Sequence, residues 1–399
     1  STALHSVLAM MATMARGPAA SRRFAAHNGA WRNQIVAFLT ATPTRRTERG
    51  KFFSTRRKFN PTLLAEGLLQ GKRTALSRAI TMVESHNSEH QEKAFDLFEQ
   101  IAILLKGNRE GEKTDKKFRV GITGPPGAGK STFIASLGMH LLQKGHKVAV
   151  LAIDPSSTRT GGSLLGDKTR MHDLSLEQNA YIRPSPSGGH LGGIAHATSE
   201  SATLCEAAGY DVCLIETVGV GQSETAVSEI VDLVLLIMPP AAGDDIQGMK
   251  KGIVEIADLI VVNKADGALL PKARHTKTDY QHALQLLRPK YSFWNPRVLL
   301  CSSLPPTTDV SAVDKSIVEI WDNVCEFKKV LEDVGEIHKI RKSQREQMMW
   351  KEVHSRILSL CDGSSADQTL VIRINKIRDA VIANQMLPRR AARAIMKIL

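Results

Sequence analysis

Acidic side chains are almost missing from residues 1–60, where Glu48 alone offsets Arg16, Arg22, Arg23, Arg32, Arg45, Arg46, Arg49, Lys51, Arg56, Arg57 and Lys58. That stretch carries +10 of the formal +13, so the rest of the 399-residue chain is nearly neutral. A basic, nucleic-acid-binding body is thereby excluded, and no nucleic-acid partner is expected. Arg-rich, acid-poor sequence with Ser, Thr and Ala predicts a mitochondrial transit peptide over 1–60 and a destination in the mitochondrial matrix. The competing reading is a basic tail touching RNA or anionic lipid. Long apolar runs are also lacking. Residues 7–14 and 35–39 are too short to cross a bilayer, so no membrane span is expected. The five cysteines (Cys205, Cys213, Cys301, Cys325, Cys361) form no C-x-x-C pair, and none of the thirteen histidines belongs to an H-E-x-x-H motif. This argues against a disulfide framework or structural zinc, and suits a reducing compartment.

What is present is enough apolar sequence, 42%, for a substantial core. Residues 61–107 read as helical, with Ala94, Phe98, Ile101 and Leu105 as one buried face, and a polar linker runs to 117. From residue 118 the pattern changes to short apolar runs at 118–123, 147–153, 212–216, 233–238, 259–262 and 297–301, alternating with longer helix-like stretches. Near-continuous apolar runs separated by helices predict a mostly parallel sheet covered on both faces. The expected fold is a three-layer α/β/α with N- and C-terminal helical extensions, and the G-x-x-x-x-G-K-S loop at Gly124–Ser131 makes it a P-loop NTPase. The expected divisions are 1–60, 61–117, 118–333 and 334–399. The last is a helical arm, amphipathic over 336–360, serving either an interface or packing against its own domain.

Chemistry gathers where the apolar runs stop. Gly124-Pro125-Pro126-Gly127-Ala128-Gly129-Lys130-Ser131 matches G-x-x-x-x-G-K-[ST], with Thr132 following. Glycines let backbone N–H groups face phosphates, and the helix starting near Lys130 adds its positive end. Lys130 would reach the β- and γ-phosphates, and the Ser131 hydroxyl would ligate Mg²⁺. A second motif, Asn263-Lys264-Ala265-Asp266, follows run 259–262. The Asp266 carboxylate accepts from both the ring N–H and the exocyclic amine of guanine, whereas adenine leaves it poorly paired, costing about 1–3 kcal/mol. The Lys264 stem would lie against the base, and Ser302, Ser303 and Leu304, after the last run, would complete the pocket. The expected ligands are therefore GTP or GDP with Mg²⁺. Asp154 and Glu216 end two runs and Asp167 sits on a Gly-rich loop, so these carboxylates join Ser131 as candidate metal ligands. For Asp154 and Asp167 the bland alternative is a helix N-cap. No catalytic glutamine stands out, Gln222 being the one in the right segment, so slow, partner-stimulated hydrolysis is expected.

With these motifs in order the chain resembles the MeaB-like GTPases over about 60–399. The resemblance rests on residues 162–171 (Gly-Ser-Leu-Leu-Gly-Asp-Lys-Thr-Arg-Met), Arg183-Pro184-Ser185-Pro186, residues 216–224 and residues 239–248. It implies a homodimeric GTPase chaperone of methylmalonyl-CoA mutase. Such a protein gates adenosylcobalamin loading and removal of damaged cofactor through that partner, with a cobalamin adenosyltransferase as a further candidate partner. It also implies catalytic or metal roles for Lys130, Asp154, Asp167 and Glu216, and a switch toward the mutase containing Asp244, Gln247 and Lys250. Ser302-Ser303-Leu304 and Pro305-Pro306-Thr307-Thr308 depart from the family pattern at the base pocket. The alternatives are an ATP-dependent kinase of a small transport substrate, against which Asp266 argues, and a targeting GTPase of the signal-recognition kind.

Overall fold

The computed structural model describes residues 59–85, 87–107, 117–154, 171–186, 191–217, 227–240, 251–304, 314–361, 368–383 and 385–398. All but Phe59 fall in the unit Asn60–Leu399. Asp167, Gln222, Asp244, Gln247 and Lys250, like the expected transit peptide, lie outside the described residues.

Seven strands, paired throughout in parallel, form one sheet in the order β3-β2-β4-β1-β5-β6-β7. They are β1 (Phe118–Thr123), β2 (Val148–Asp154), β3 (Ala180–Pro186), β4 (Val212–Glu216), β5 (Leu233–Met238), β6 (Leu259–Val262) and β7 (Arg297–Leu300). Every residue of β5 is buried, and its side chains alternate between two cores. Leu233, Leu235 and Ile237 join one with Leu259 and Val261 of β6, while Leu236 and Met238 join the other with Ile260 and Val262. This period of two, buried on both faces, is what a three-layer α/β/α fold demands of its central strands.

Helix α4 (Lys130–Gln143) fills the first core with Phe133, Ile134, Leu137 and Leu141. The numbering follows α1 (Pro61–Leu69), α2 (Arg73–Val83) and α3 (Ser88–Gly107) at the N-terminal side. Next come α5 (His172–Leu176), α6 (Leu191–Ala207), α7 (Lys251–Ile256) and α8 (Leu270–Gln285). Helix α9 (Lys315–Asp333) lays the stripe Ile317, Ile320, Trp321, Val324, Phe327 and Leu331 on the same core as α4. Each such side chain contributes about 1.5–3 kcal/mol on burial.

The stretch 61–107, expected to be helical, is divided into three helices, α1 beginning where the Asn60 Oδ1 caps the Leu63 N–H at 3.1 Å and Pro61 takes the first turn. In α3 the fully buried residues are Ala94, Leu97 and Ile101; Phe98 and Leu105 lie at the border of that face. Strand β3 was not expected at all. It holds two prolines, Pro184 and Pro186, and among the described strands pairs only with β2, the position in a sheet where proline is tolerated. The end of α2 braces it: Glu84 Oε1 accepts from Ser185 Oγ at 2.5 Å, and Glu84 also pairs with Arg183.

The C-terminal helices are α10 (Glu336–Cys361), α11 (Gln368–Ile382) and α12 (Pro388–Met396). The first half of α10 packs back on the sheet. Ile337 enters the main core, Arg341 donates to Asp232 at 2.6 and 2.8 Å, and Gln344 donates to the Val231 carbonyl at 2.7 Å. Lys351, further along, pairs with Glu229. Asp232 also accepts from the main-chain N–H of Arg119 at 2.8 Å, and Arg119 in turn makes a two-pronged pair with Glu206, 2.7 Å on each prong. Asp232 is buried and Arg119, Glu206 and Arg341 are largely covered, each engaged with an opposite charge, the condition under which a semi-interior ion network is tolerated.

Candidate functional site

All motifs stand at the carboxyl ends of strands, the edge of a parallel sheet where ligands bind. β1, between β4 and β5, runs into the glycine loop, which delivers α4. Gly124 has φ 145°, and a Cβ there would sit 2.0 Å from the Ile237 carbonyl oxygen; Gly129, the α4 N-cap at φ 90°, would place one 2.5 Å from Asn263 Nδ2. Both positions exclude a side chain by geometry and by contact. Pro126 and Gly127 are exposed at the loop tip, Ala128 is buried, and Thr132 lies half-buried in the first turn of α4.

Lys130 is buried and folds back on its own loop, donating to the carbonyls of Gly124 (2.9 Å) and Pro125 (3.2 Å). Its neighbour Ser131 donates from Oγ to Glu216 Oε1 at 2.9 Å, joining the head of α4 to the end of β4. Both are buried. A hydroxyl and a carboxylate oxygen at this separation are the hard donors magnesium takes, so the residues present fit that ion. Asp154 ends β2, the neighbour of β4, two residues beyond the Ala152–Glu216 pairing. Thr217 continues from Glu216, its Oγ1 2.9 Å from Thr123 Oγ1 and its N–H on the Ile122 carbonyl at 3.0 Å.

The base-side motif lies on the adjacent strands β6 and β7. Asn263 turns inward rather than toward a base: its Nδ2 donates to the Ala128 carbonyl at 2.9 Å, and its Oδ1 accepts from Ser303 Oγ at 2.6 Å. Lys264, with φ 57°, lies across the phosphate loop and donates to the Gly127 carbonyl at 2.8 Å. Asp266 is half-buried and accepts from Ser302 Oγ at 2.7 Å. The Ala265 N–H reaches the Cys301 carbonyl at 2.8 Å, closing the two loops together. The Ser302 N–H donates to Ser316 Oγ at 3.1 Å. Leu304 is exposed. Burial pushes the Cys301 thiol up to about 11, so it stays neutral beside this pocket.

Three supporting residues escaped sequence reasoning. Ser136 on α4 donates to the Ser303 carbonyl at 2.6 Å. Asp314 and Ser316 open α9 and reach the same loop. For the last two a signal existed: Asp followed by a helical apolar stripe marks an N-cap.

A Walker A loop between the central strand and α4, with Asn-Lys-x-Asp two strands away, defines a P-loop nucleotide hydrolase of the GTPase class. Residues 76–366 match the family described as "Methylmalonyl Co-A mutase-associated GTPase MeaB", and the chain belongs to that family. It is 43% identical over 336 residues to the mouse protein "Methylmalonic aciduria type A homolog, mitochondrial", covering 84% of this chain and 78% of that one. To the Escherichia coli protein "GTPase ArgK" it is 45% identical over 303 residues, 75% of this chain and 86% of that one. A crystal structure of a LAO/AO transport system kinase superposes with a TM-score of 0.63 at 36% identity, over 84% of this chain and 96% of that one.

Proposed function

We propose that this GTPase is a chaperone of methylmalonyl-CoA mutase, using its nucleotide state to gate adenosylcobalamin loading and removal of inactivated cofactor on that partner. The observation that carries the reading is the family match, which spans the nucleotide site and whose description names association with the mutase. In this reading the loop amides of Gly124–Thr132 and the Lys130 ammonium hold the phosphates, and Asp266, Lys264 and the 302–304 segment hold guanine. Ser131, Glu216, Asp154 and Asp167 hold Mg²⁺, whose charge offsets that of the phosphates. Asp244, Gln247 and Lys250 carry the nucleotide state to the mutase. Hydrolysis by the isolated protein is slow and partner-stimulated, since Gln222 alone offers a side chain for orienting water in that segment. The working form is a homodimer with contacts from the C-terminal arm. The mouse relative's description and the basic residues 1–60 support a mitochondrial matrix protein, with a cobalamin adenosyltransferase as a further partner.

The test is capture of the mutase by this protein loaded with GDP or with a non-hydrolysable GTP analogue. Affinity must differ between the two states, because a ligand shifts an equilibrium only through differential binding. Equal capture in both states would sink the switch reading. The kinase described among the solved relatives supports a second reading, phosphoryl transfer to a small transport substrate. Radiolabelled phosphate appearing on an added small substrate rather than as inorganic phosphate would favour it.

A further inference from the structure

We infer that Ser316, acting through Ser302, is a positioning residue for base selectivity: it holds the Asp266 carboxylate in the orientation that pairs with the guanine edge. The inference rests on the reading of Asp266 as the guanine-recognising group. Four hydrogen bonds make the chain. Asp314 Oδ1 accepts from the Ser316 N–H at 2.8 Å and from the Ser316 hydroxyl at 2.5 Å. The Ser316 hydroxyl has a single proton, and Asp314 takes it, so the oxygen presents a lone pair to the Ser302 N–H at 3.1 Å. Ser302 Oγ then donates to Asp266 Oδ2 at 2.7 Å, leaving Oδ1 for a ligand. The proton direction is fixed along the whole chain by the carboxylates at its two ends.

Helix capping alone does not account for the Ser316 hydroxyl. Asp314 caps α9 through the Ser316 main-chain N–H, and the helix gains nothing from a hydroxyl that reaches fourteen residues back to a different loop. Asp266, for its part, is not consumed locally: it precedes the short 3₁₀ turn Gly267–Leu269 in an extended conformation (φ −131°) and makes no side-chain cap bond to it. Ser302 is therefore the one described side chain bonded to this carboxylate, and Ser316 is what holds the Ser302 backbone. A carboxylate that must meet two donors of guanine at once depends on its orientation more than one that meets a single donor.

The test is binding of GDP, IDP and ADP to the full chain carrying Ser316→Ala. IDP lacks the exocyclic amine that guanine offers Asp266, and ADP reads the phosphate site with little help from that carboxylate. The preference for GDP over IDP should narrow about tenfold, the factor expected for one well-placed bond to a charged acceptor, while ADP affinity stays within about twofold. Ser316→Thr, which keeps the hydroxyl, should restore the preference. In a Ser302→Ala background Ser316→Ala should add nothing further. Should the alanine variant not fold, Ser316→Cys gives the same readout with the size of the side chain kept. Parallel weakening of all three nucleotides, or an unchanged GDP-to-IDP ratio, overturns the inference. A wild-type chain that binds GDP and IDP equally overturns the guanine reading itself, whatever the Ser316 variants do.

Discussion

The side-chain amide of Asn263, at the end of β6, donates to the Ala128 carbonyl inside the phosphate loop at 2.9 Å. Its other end accepts from Ser303, so one residue ties together the phosphate loop, the Asn-Lys-x-Asp loop and the segment after β7. The part of the motif most readily assigned to the base thus works on the protein. Asn263→Ala leaves the Ser303 hydroxyl and the Ala128 carbonyl unpaired in a buried setting. It should cost about 1–3 kcal/mol in denaturant unfolding and weaken GDP at least tenfold by calorimetry. Unchanged GDP affinity with lowered stability would separate the brace from the site.

Two glycines with positive φ should respond very differently to alanine. At Gly124 the added methyl meets the Ile237 backbone, and the loop cannot keep its path. Gly124→Ala should abolish nucleotide binding and lower stability by several kcal/mol. Gly145, just past the end of α4, has φ 85° with nothing within 4 Å of the would-be Cβ. Gly145→Ala should cost only about 1–2 kcal/mol of backbone strain and leave GDP affinity intact. Thermal melts with and without GDP compare the pair directly.

Burial pushes the Glu206 carboxyl up, but the hydrogen bonds and charge of Arg119, with help from Arg341, outweigh it and hold the group below its ordinary value. Its contribution to folding is therefore full above the unfolded value, about 4.3, and is lost as pH falls through the lower folded value. Glu206→Gln should cost about 3 kcal/mol or more at pH 7, because Arg119 stays buried and loses its carboxylate. The stability gap between wild type and variant should be flat above about pH 5 and narrow below it. A gap unchanged down to pH 3 in urea titrations contradicts this account.

The central strands were legible because β5 and β6 must bury both faces and so spell unbroken apolar runs. The glycine loop was legible because positive φ and close backbone approach admit few residue types. β3 was not, because its two prolines read as a break until the neighbouring strand shows it to be an edge. The inward turn of Asn263 was hidden for another reason: a motif states residue types, and the direction a side chain takes is settled by what stands opposite. Likewise the pairing of Arg341 with Asp232 spans 109 residues, and nothing local to either position announces it.

That last pairing has a mechanical side. The segment Arg341, Gln344 and Lys351 grips, Glu229–Asp232, follows in the chain from the stretch that opens with Glu216, the partner of Ser131. Arg341 is held at 2.6 Å and Gln344 at 2.7 Å, so there is little slack between the segment and α10. Between Gln344 and Lys351 the helix carries the exposed Met349 and Trp350. The start of α10 is thus anchored to the amino end of β5, the end of the sheet opposite the phosphate loop, through the buried Asp232 carboxylate.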